Sequence, residues 1–141
     1  MKKAQEDKTT CKDMVRDSYK NTMGNITVLW NLYKKDPEAS EENLGTWGEY
    51  GLSFDYVPKG TFSDQKRGFF RYQICWGGPG TEFRIYADES LDIDKIEYWY
   101  LDWFDGAKVP VTGKALDTWR EIWEDFREME LPEAKMREAK E

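Results

Sequence analysis

Apolar residues recur at helical spacing near each end of the chain and with a period of two between those stretches. The first helical pattern is predicted to begin at Thr9 or Thr10, since either residue can cap a helix. It is predicted to end at Asp36, because the residue before Pro37 disfavours helical backbone. Gly24 is expected to interrupt this helix.

The second helical pattern is the stronger one. It is predicted to begin at Thr112 or Gly113 and to end at Leu131 and Pro132. Its large apolar residues fall on one stripe: Leu116, Trp119, Ile122, Trp123 and Phe126. The stripe predicts an amphipathic helix that packs on a sheet.

Between the helices, apolar and polar residues alternate as they do in half-buried strands. The alternation covers four segments, 51–58, 69–76, 82–87 and 95–101. Val109 and Val111 suggest a short further strand. The side with Phe70 and Phe83 is predicted to form the core. The opposite side of the sheet mixes aromatic and charged residues: Arg71, Gln73, Arg84, Tyr86, Glu97 and Trp99.

These elements predict an α+β fold. It has an N-terminal helix, an antiparallel sheet of about four strands in a meander, and a C-terminal amphipathic helix packed on the sheet. A chain of 141 residues, 16% of them aromatic, suits a single domain over 1–141 with a substantial core. Residues 1–10 and 132–141 are expected to be frayed, although the second stretch also reads as a helical extension.

Charge indicates which partners the surface favours. The chain has 28 acidic and 21 basic residues, a net charge of −7. An acidic surface repels phosphate, which argues against direct binding of nucleic acid and favours basic partners. The charge is uneven, because residues 37–58 and 88–106 are acidic whereas residues 59–87 carry five bases and two acids.

The residue types in the chain give little support to a catalytic function. The chain has no histidine, which excludes Ser-His-Asp and Cys-His catalysis and removes the commonest metal ligand. Asp88, Asp92 and Asp94 offer oxygen ligands for a divalent cation, but the glycine and the terminal glutamate of an EF-hand are missing. We therefore predict no catalytic residue, no cofactor and no metal.

The apolar runs, the N-terminus and the cysteines indicate the cellular compartment. No apolar run is long enough to span a membrane, and the N-terminus lacks the apolar core of a signal peptide. Cys11 and Cys75 are accordingly expected to be reduced thiols, with Cys75 packed in a strand. The expected location is the cytoplasm.

Two sets of residues are candidates for binding a partner. The aromatic set, Tyr86 and Trp99, lies on the outer side of the sheet, and these residue types are enriched at protein interfaces. The acidic set comprises Asp88, Glu89, Asp92, Asp94, Asp102 and Asp105. The alternatives are a solvated acidic loop, and an outer side whose Arg and Glu residues pair while the N-terminal segment covers the tryptophan.

Three segments carry a resemblance to a known family. They are GLSFDYV (51–57), FFRYQICWGGPGTEFRIYAD (69–88) and IEYWYLDWFDGAK (96–108). Over this half of its length the chain resembles small acidic proteins found on phages and other mobile elements. The resemblance implies an inhibitor of host defence, of the anti-CRISPR or anti-restriction class, located in the cytoplasm of a bacterial host cell. It brings no catalytic motif with it.

The first hypothesis is therefore a non-catalytic inhibitor of a bacterial defence nuclease, in which the acidic set and the two aromatics bind a basic nucleic-acid-binding surface. The partner would be a Cas or restriction subunit. The alternative is a housekeeping protein-interaction module of a mobile element, either monomeric or a homodimer formed through its sheet. A third hypothesis, an enzyme or metal protein, predicts that calcium or magnesium raises the melting temperature.

Overall fold

The computed structural model describes residues 10–77, 79–102 and 105–140. The predicted α+β class is confirmed, with a main sheet of five strands rather than about four. The helices are α1 (Cys11–Lys35), α2 (Trp47–Tyr50), α3 (Gly113–Glu128) and α4 (Leu131–Lys140). The strands are β1 (Ser40–Glu41), β2 (Gly45–Thr46), β3 (Ser53–Val57), β4 (Phe69–Cys75), β5 (Gly80–Ala87), β6 (Ile93–Asp102) and β7 (Asp105–Pro110).

The main sheet is an antiparallel meander in the order β3-β4-β5-β6-β7. Its register pairs Phe70 with Ile85 and Phe83 with Tyr98, so these side chains point to one face of the sheet. The fifth strand, β7, arises because residues 105–110 pair along most of β6. Val109, one of the two residues that suggested a further strand, lies opposite Tyr98.

Helix α1 is continuous, and the expected interruption at Gly24 is wrong. Thr10 caps the helix together with Asp13, whose carboxylate accepts a hydrogen bond from the Thr10 N–H at 3.1 Å. The helix ends where predicted, with Asp36 as its C-cap. Gly24 lies on the exposed side, where a single glycine weakens a helix without breaking it, because the buried stripe passes on the other side.

The core lies between the sheet and the helices. Trp119 of α3 is fully buried and its ring lies 5.4 Å from Tyr72 and 4.9 Å from Phe83 between centroids. One turn further, the ring of Trp123 lies 5.2 Å from that of Phe70. The prediction that the C-terminal amphipathic helix packs on the sheet is confirmed.

Residues 131–140 form α4, which contacts β3, so the frayed end expected at 132–141 is a helix as far as Lys140. Pro132 is buried in the first turn, where a proline is tolerated because its missing N–H would have had no helical partner. Glu130, with φ of +56°, makes the sharp turn that precedes it. The expectation for residues 1–9, and for Glu141, lies outside the described residues.

None of the helices in the described ranges is both long and apolar enough to cross a membrane.

Candidate functional site

The two aromatic candidates lie on the outer face of the sheet, as predicted, but cations cover their rings. The Arg84 guanidinium lies 4.0 Å from the centroid of the Trp99 ring, and the Lys108 ammonium lies 5.3 Å from it. Tyr86 is flanked by Arg67 and Lys95, at 5.2 Å and 4.7 Å from its ring. Neither ring is a bare apolar anchor, so cations must be part of any contact made here.

Charged residues of the outer face pair with one another, which was the alternative to an open interface. Arg71 donates two hydrogen bonds to Asp55, at 3.1 and 2.8 Å, across the β3–β4 pair. Arg84 Nε lies 2.7 Å from a Glu82 oxygen, and both side chains are largely buried. The described part of the N-terminal segment, α1, packs on the opposite face against β6 and β7.

A loop over residues 58–68 reaches this outer face instead. Phe62 of the loop stacks on Phe69, with ring centroids 6.4 Å apart. This contact could not be predicted from the sequence, because Phe62 is a single aromatic residue in a mostly polar loop.

The acidic set is divided between the two ends of β6. Asp88, Glu89, Asp92 and Asp94 lie around the β5–β6 turn, whereas Asp102 and Asp105 lie at the β6–β7 end. A strand of ten residues spans roughly 30 Å, so the six carboxylates form two groups rather than one patch.

Three members of the acidic set have local structural roles. Asp88 Oδ1 accepts hydrogen bonds from the backbone N–H groups of Ser90 and Asp92, at 2.9 and 3.0 Å, and so closes the turn. Asp94 forms an ion pair of 3.0 Å with Arg67. Asp105 accepts a hydrogen bond of 2.9 Å from the Cys11 N–H, which lowers the pKa of that carboxyl group and anchors the start of α1.

Metal ligands and reactive thiols are the remaining candidates for a chemical site. Among the residues that the structure describes, no group of three or more His, Cys, Asp or Glu side chains is arranged to hold a metal ion. Cys11 is buried, and this burial raises the pKa of its thiol. Cys75 is exposed rather than packed as expected, because it ends β4 beside a register shift at the hairpin.

A further acidic surface is one that the sequence did not single out. A groove of about 410 Å³ runs between the end of α1 and the outer side of α3. We call it the acidic groove; its lining residues are Trp30, Tyr33, Lys34, Pro37, Glu121, Glu124, Asp125 and Glu128. It therefore contains four carboxylates and one ammonium group.

Local contacts fix the geometry of the acidic groove. Glu121 accepts hydrogen bonds from Lys34 Nζ at 2.8 Å and from Trp30 Nε1 at 3.0 Å, and these bonds lower its pKa. Asp125 Oδ2 is buried and has no hydrogen-bond partner within the described ranges. Burial first, and then the nearby Asp125 carboxylate, raise the pKa of Tyr33. The Asp125 carboxylate therefore lies beneath the surface of the groove, beside Tyr33.

An apolar pocket of about 360 Å³ continues the acidic groove and shares Tyr33 and Asp125 with it. Leu52 and Met129 line its mouth and remain 52% and 57% exposed, although both are apolar. Phe54 lies deeper in the same pocket. The combined surface therefore presents a negative groove that leads to an apolar site.

Sequence reasoning missed this surface for an identifiable reason. Glu121, Glu124 and Glu128 share one side of α3, at spacings of three and four residues, but the polar side of an amphipathic helix normally faces solvent. The groove exists because the end of α1 lies beside α3, and the two helices are far apart in sequence. The helical spacing of the glutamates was the one available signal.

Comparisons of the chain with models of known protein families, with curated proteins and with solved structures find no match.

Proposed function

We propose that this protein is a non-catalytic inhibitor of a bacterial defence nuclease, and that it binds a basic nucleic-acid-binding surface of its target. The observation that carries the proposal is the acidic groove, in which four carboxylates and one lysine line a single surface beside an apolar pocket. The class of the target, a Cas or restriction subunit, comes from the resemblance of the sheet segments to mobile-element proteins.

The acidic groove suits a basic protein better than either end of β6 does. At the β5–β6 turn, Asp94 pairs with Arg67 and Asp88 closes the turn, which leaves two of the four carboxylates there without such a contact among the described residues. In the groove Glu121 is the one carboxylate with an ion pair within the described ranges, and carboxylates on one surface add their potentials. Glu124 and Glu128 are exposed in the groove, and an arginine or lysine of the partner supplies hydrogen-bond donors for them together with a positive charge.

The apolar pocket supplies the second requirement of a stable protein complex. Interfaces derive much of their affinity from a few large side chains that fill desolvated pockets, with charged groups around them. Leu52 and Met129 are exposed at the mouth of such a pocket, next to the Asp125 carboxylate. We infer that the target presents an apolar side chain flanked by arginine or lysine.

A pair of matched double variants tests where the target binds. Glu124→Lys with Glu128→Lys reverses two charges of the acidic groove, and Glu89→Lys with Asp92→Lys reverses two at the β5–β6 turn. Each pair changes the net charge by the same amount. Lysine is tolerated near the C-terminal end of α3 because it complements the helix dipole, so the first pair is expected to fold.

The variants are compared in cells with an active CRISPR–Cas or restriction system, by the plating efficiency of a targeted phage. We expect the unmodified protein to restore plating, the groove variant to lose this effect, and the turn variant to keep it. With the purified target, we expect the groove variant to associate about tenfold more slowly at low salt, with a smaller difference at high salt.

Other results of these experiments would move the binding site or contradict the proposed function. Loss of protection by the turn variant alone would place the site at Asp88–Asp94, as the sequence suggested. Full activity of both variants would contradict the electrostatic mechanism. Failure of the unmodified protein against every defence system tried would contradict the inhibitor function and favour the housekeeping interaction module.

A further inference from the structure

The outer face of the sheet holds a pocket whose charge is opposite to that of the protein as a whole. It has a volume of about 550 Å³, which is within the range of small-molecule sites, and lies between the 62–67 loop and strands β4 to β7. Five of its lining residues are basic: Lys66, Arg67, Arg84, Lys95 and Lys108. Asp64 is the one acid in the lining, in a chain of net charge −7.

Neighbouring carboxylates neutralise part of this charge, because Arg67 pairs with Asp94 and Arg84 pairs with Glu82. Lys95 Nζ and Lys108 Nζ lie 3.7 and 3.2 Å from the same oxygen of Glu97, so two ammonium groups share one carboxylate. The two lysine side chains are 54% and 52% exposed, while that of Glu97 is 11% exposed beneath them. Lys66 forms no ion pair with any other described residue. An anion that approached from solvent would meet the ammonium groups before the carboxylate.

The lysine pair is spaced for one anionic group. Because both ammonium nitrogens contact the same Glu97 oxygen, they are at most 6.9 Å apart, the sum of 3.7 and 3.2 Å. A tetrahedral phosphate can accept a hydrogen bond from each of two ammonium groups at this separation.

Aromatic rings form the remaining walls of the pocket. Trp99 is half-buried on the floor, and Phe62, 43% exposed, stands on the loop opposite. Phe69 and Tyr86 complete the aromatic lining. Planar ring systems bind between such walls, and every base has a face that stacks on an aromatic side chain.

We propose that this pocket binds a small anionic ligand that carries a planar ring, of the nucleoside monophosphate class. The phosphate lies between Lys95 and Lys108, and the ring packs against Phe62 and against the Arg84 guanidinium, which covers Trp99. The pocket is on the sheet face opposite to the helices, so this binding does not depend on the acidic groove or on the proposed inhibitor function.

The test is a titration of the full-length 15N-labelled protein with adenosine monophosphate, followed by two-dimensional NMR. We expect shifts of backbone amides in the 62–67 loop and in β5, β6 and β7, with a Kd on the order of 100 µM. Inorganic phosphate alone should shift amides near Lys95 and Lys108, and adenosine alone should shift those near Phe62. Both are expected to bind more weakly than the nucleotide.

Different substitutions test the contact with the phosphate and the contact with the ring of the ligand. Lys95→Gln with Lys108→Gln is expected to weaken nucleotide binding at least about tenfold, whereas Lys35→Gln with Lys114→Gln, which changes the charge equally on the helical side, should leave it unchanged. Phe62→Ala removes an exposed loop side chain, so it tests the ring contact even if the lysine variant folds poorly. It should weaken the nucleotide and leave the phosphate response intact.

Three results would overturn the proposal. The first is no shift of pocket amides at millimolar nucleotide, and the second is equal weakening by the control lysine pair. The third is a pocket response to a single-stranded oligonucleotide with none to the mononucleotide, which would assign the face to polymer binding instead.

Discussion

Glu121 shows how a single side chain can join two distant helices. Its carboxylate accepts hydrogen bonds from Lys34 and Trp30 of α1, and these bonds lower its pKa, with the Lys34 bond the larger cause. A carboxyl group with a lowered folded-state pKa stabilises the fold above its unfolded pKa of about 4.3, and this contribution is lost as the pH falls through the folded-state pKa.

We therefore expect Glu121→Gln to reduce the free energy of unfolding at pH 7 and to have less effect near pH 3. The glutamine keeps an oxygen for Trp30 and removes the charge. The side chain is 53% exposed, so the loss at pH 7 should stay below about 1 kcal/mol. Urea denaturation at the two pH values measures it.

Glu124→Gln is the matched control for this pH dependence. Glu124 is exposed on the same helix, and its carboxylate makes no hydrogen bond or ion pair within the described part of the chain. Its substitution should leave the free energy of unfolding nearly unchanged at both pH values. An equal effect of the two substitutions would show that the pairing with Lys34 is not the source.

At the scale of the element, α1 contains a position at which a substitution is expected to stabilise the protein. Gly24 lies on the exposed side of a continuous helix, and no atom lies within 4 Å of the position that a Cβ would take. Gly24→Ala is expected to raise the free energy of unfolding by about 0.4–1 kcal/mol, because alanine loses less backbone entropy on folding. Thermal unfolding followed by circular dichroism measures the change.

Gly51→Ala is the contrasting substitution. Gly51 lies against the ring and hydroxyl group of Tyr72, which is buried in the core, so an added Cβ would overlap with them. This substitution should lower the melting temperature where the first raises it. A stabilising effect at Gly51, or a destabilising one at Gly24, would contradict this account of the two positions.

The elements themselves were largely predictable from periodicity. The stripe of α3 and the alternation of β4 and β5 assigned Trp119, Phe70 and Phe83 to the core, as the structure has them. The interruption at Gly24 was predicted from the low helix propensity of glycine. A glycine costs a helix about 1 kcal/mol, and the packing of the buried stripe of α1 outweighs this cost. α4 was open to two interpretations because its contact with β3 cannot be read from its own residues.

The candidate sites were less predictable, because they combine residues from separate elements. The acidic groove brings Lys34 of α1 beside Glu121 of α3, and the outer pocket brings Phe62 of a loop onto Phe69 of β4. Counts of charge along the chain identified acidic segments, yet the two acidic groups of the β6 strand lie at its opposite ends. Charge patterning gives the sign of a surface, while packing decides which charges share it.

On the scale of the whole molecule, charge divides between the two sides of the sheet. The helical side carries the acidic groove with its four carboxylates, and the outer side carries a pocket with five bases. Carboxylates pair with four of these five bases, so the outer pocket is weakly positive within a chain of net charge −7. Binding on the two sides should respond in opposite ways to the charge of a ligand.

The strand order also has a consequence for how the chain folds. Every strand of the main sheet pairs with the next strand in the sequence, so the sheet requires only local chain closure. The hydrogen bond from Trp30 to Glu121, in contrast, joins residues 91 positions apart. Closing such a long loop is slow, so we expect the meander to form in the folding transition state and α1 to join afterwards.

Two matched substitutions test this order by stopped-flow kinetics in urea. Ile26 of α1 and Ile85 of β5 are both fully buried, and replacing either with valine should cost about 0.5–1.5 kcal/mol. Ile85→Val should slow folding, whereas Ile26→Val should mainly speed unfolding. Equal slowing by both would contradict the order. If α1 joins last, the acidic groove is absent from every partly folded form and only the native protein can bind a basic partner there.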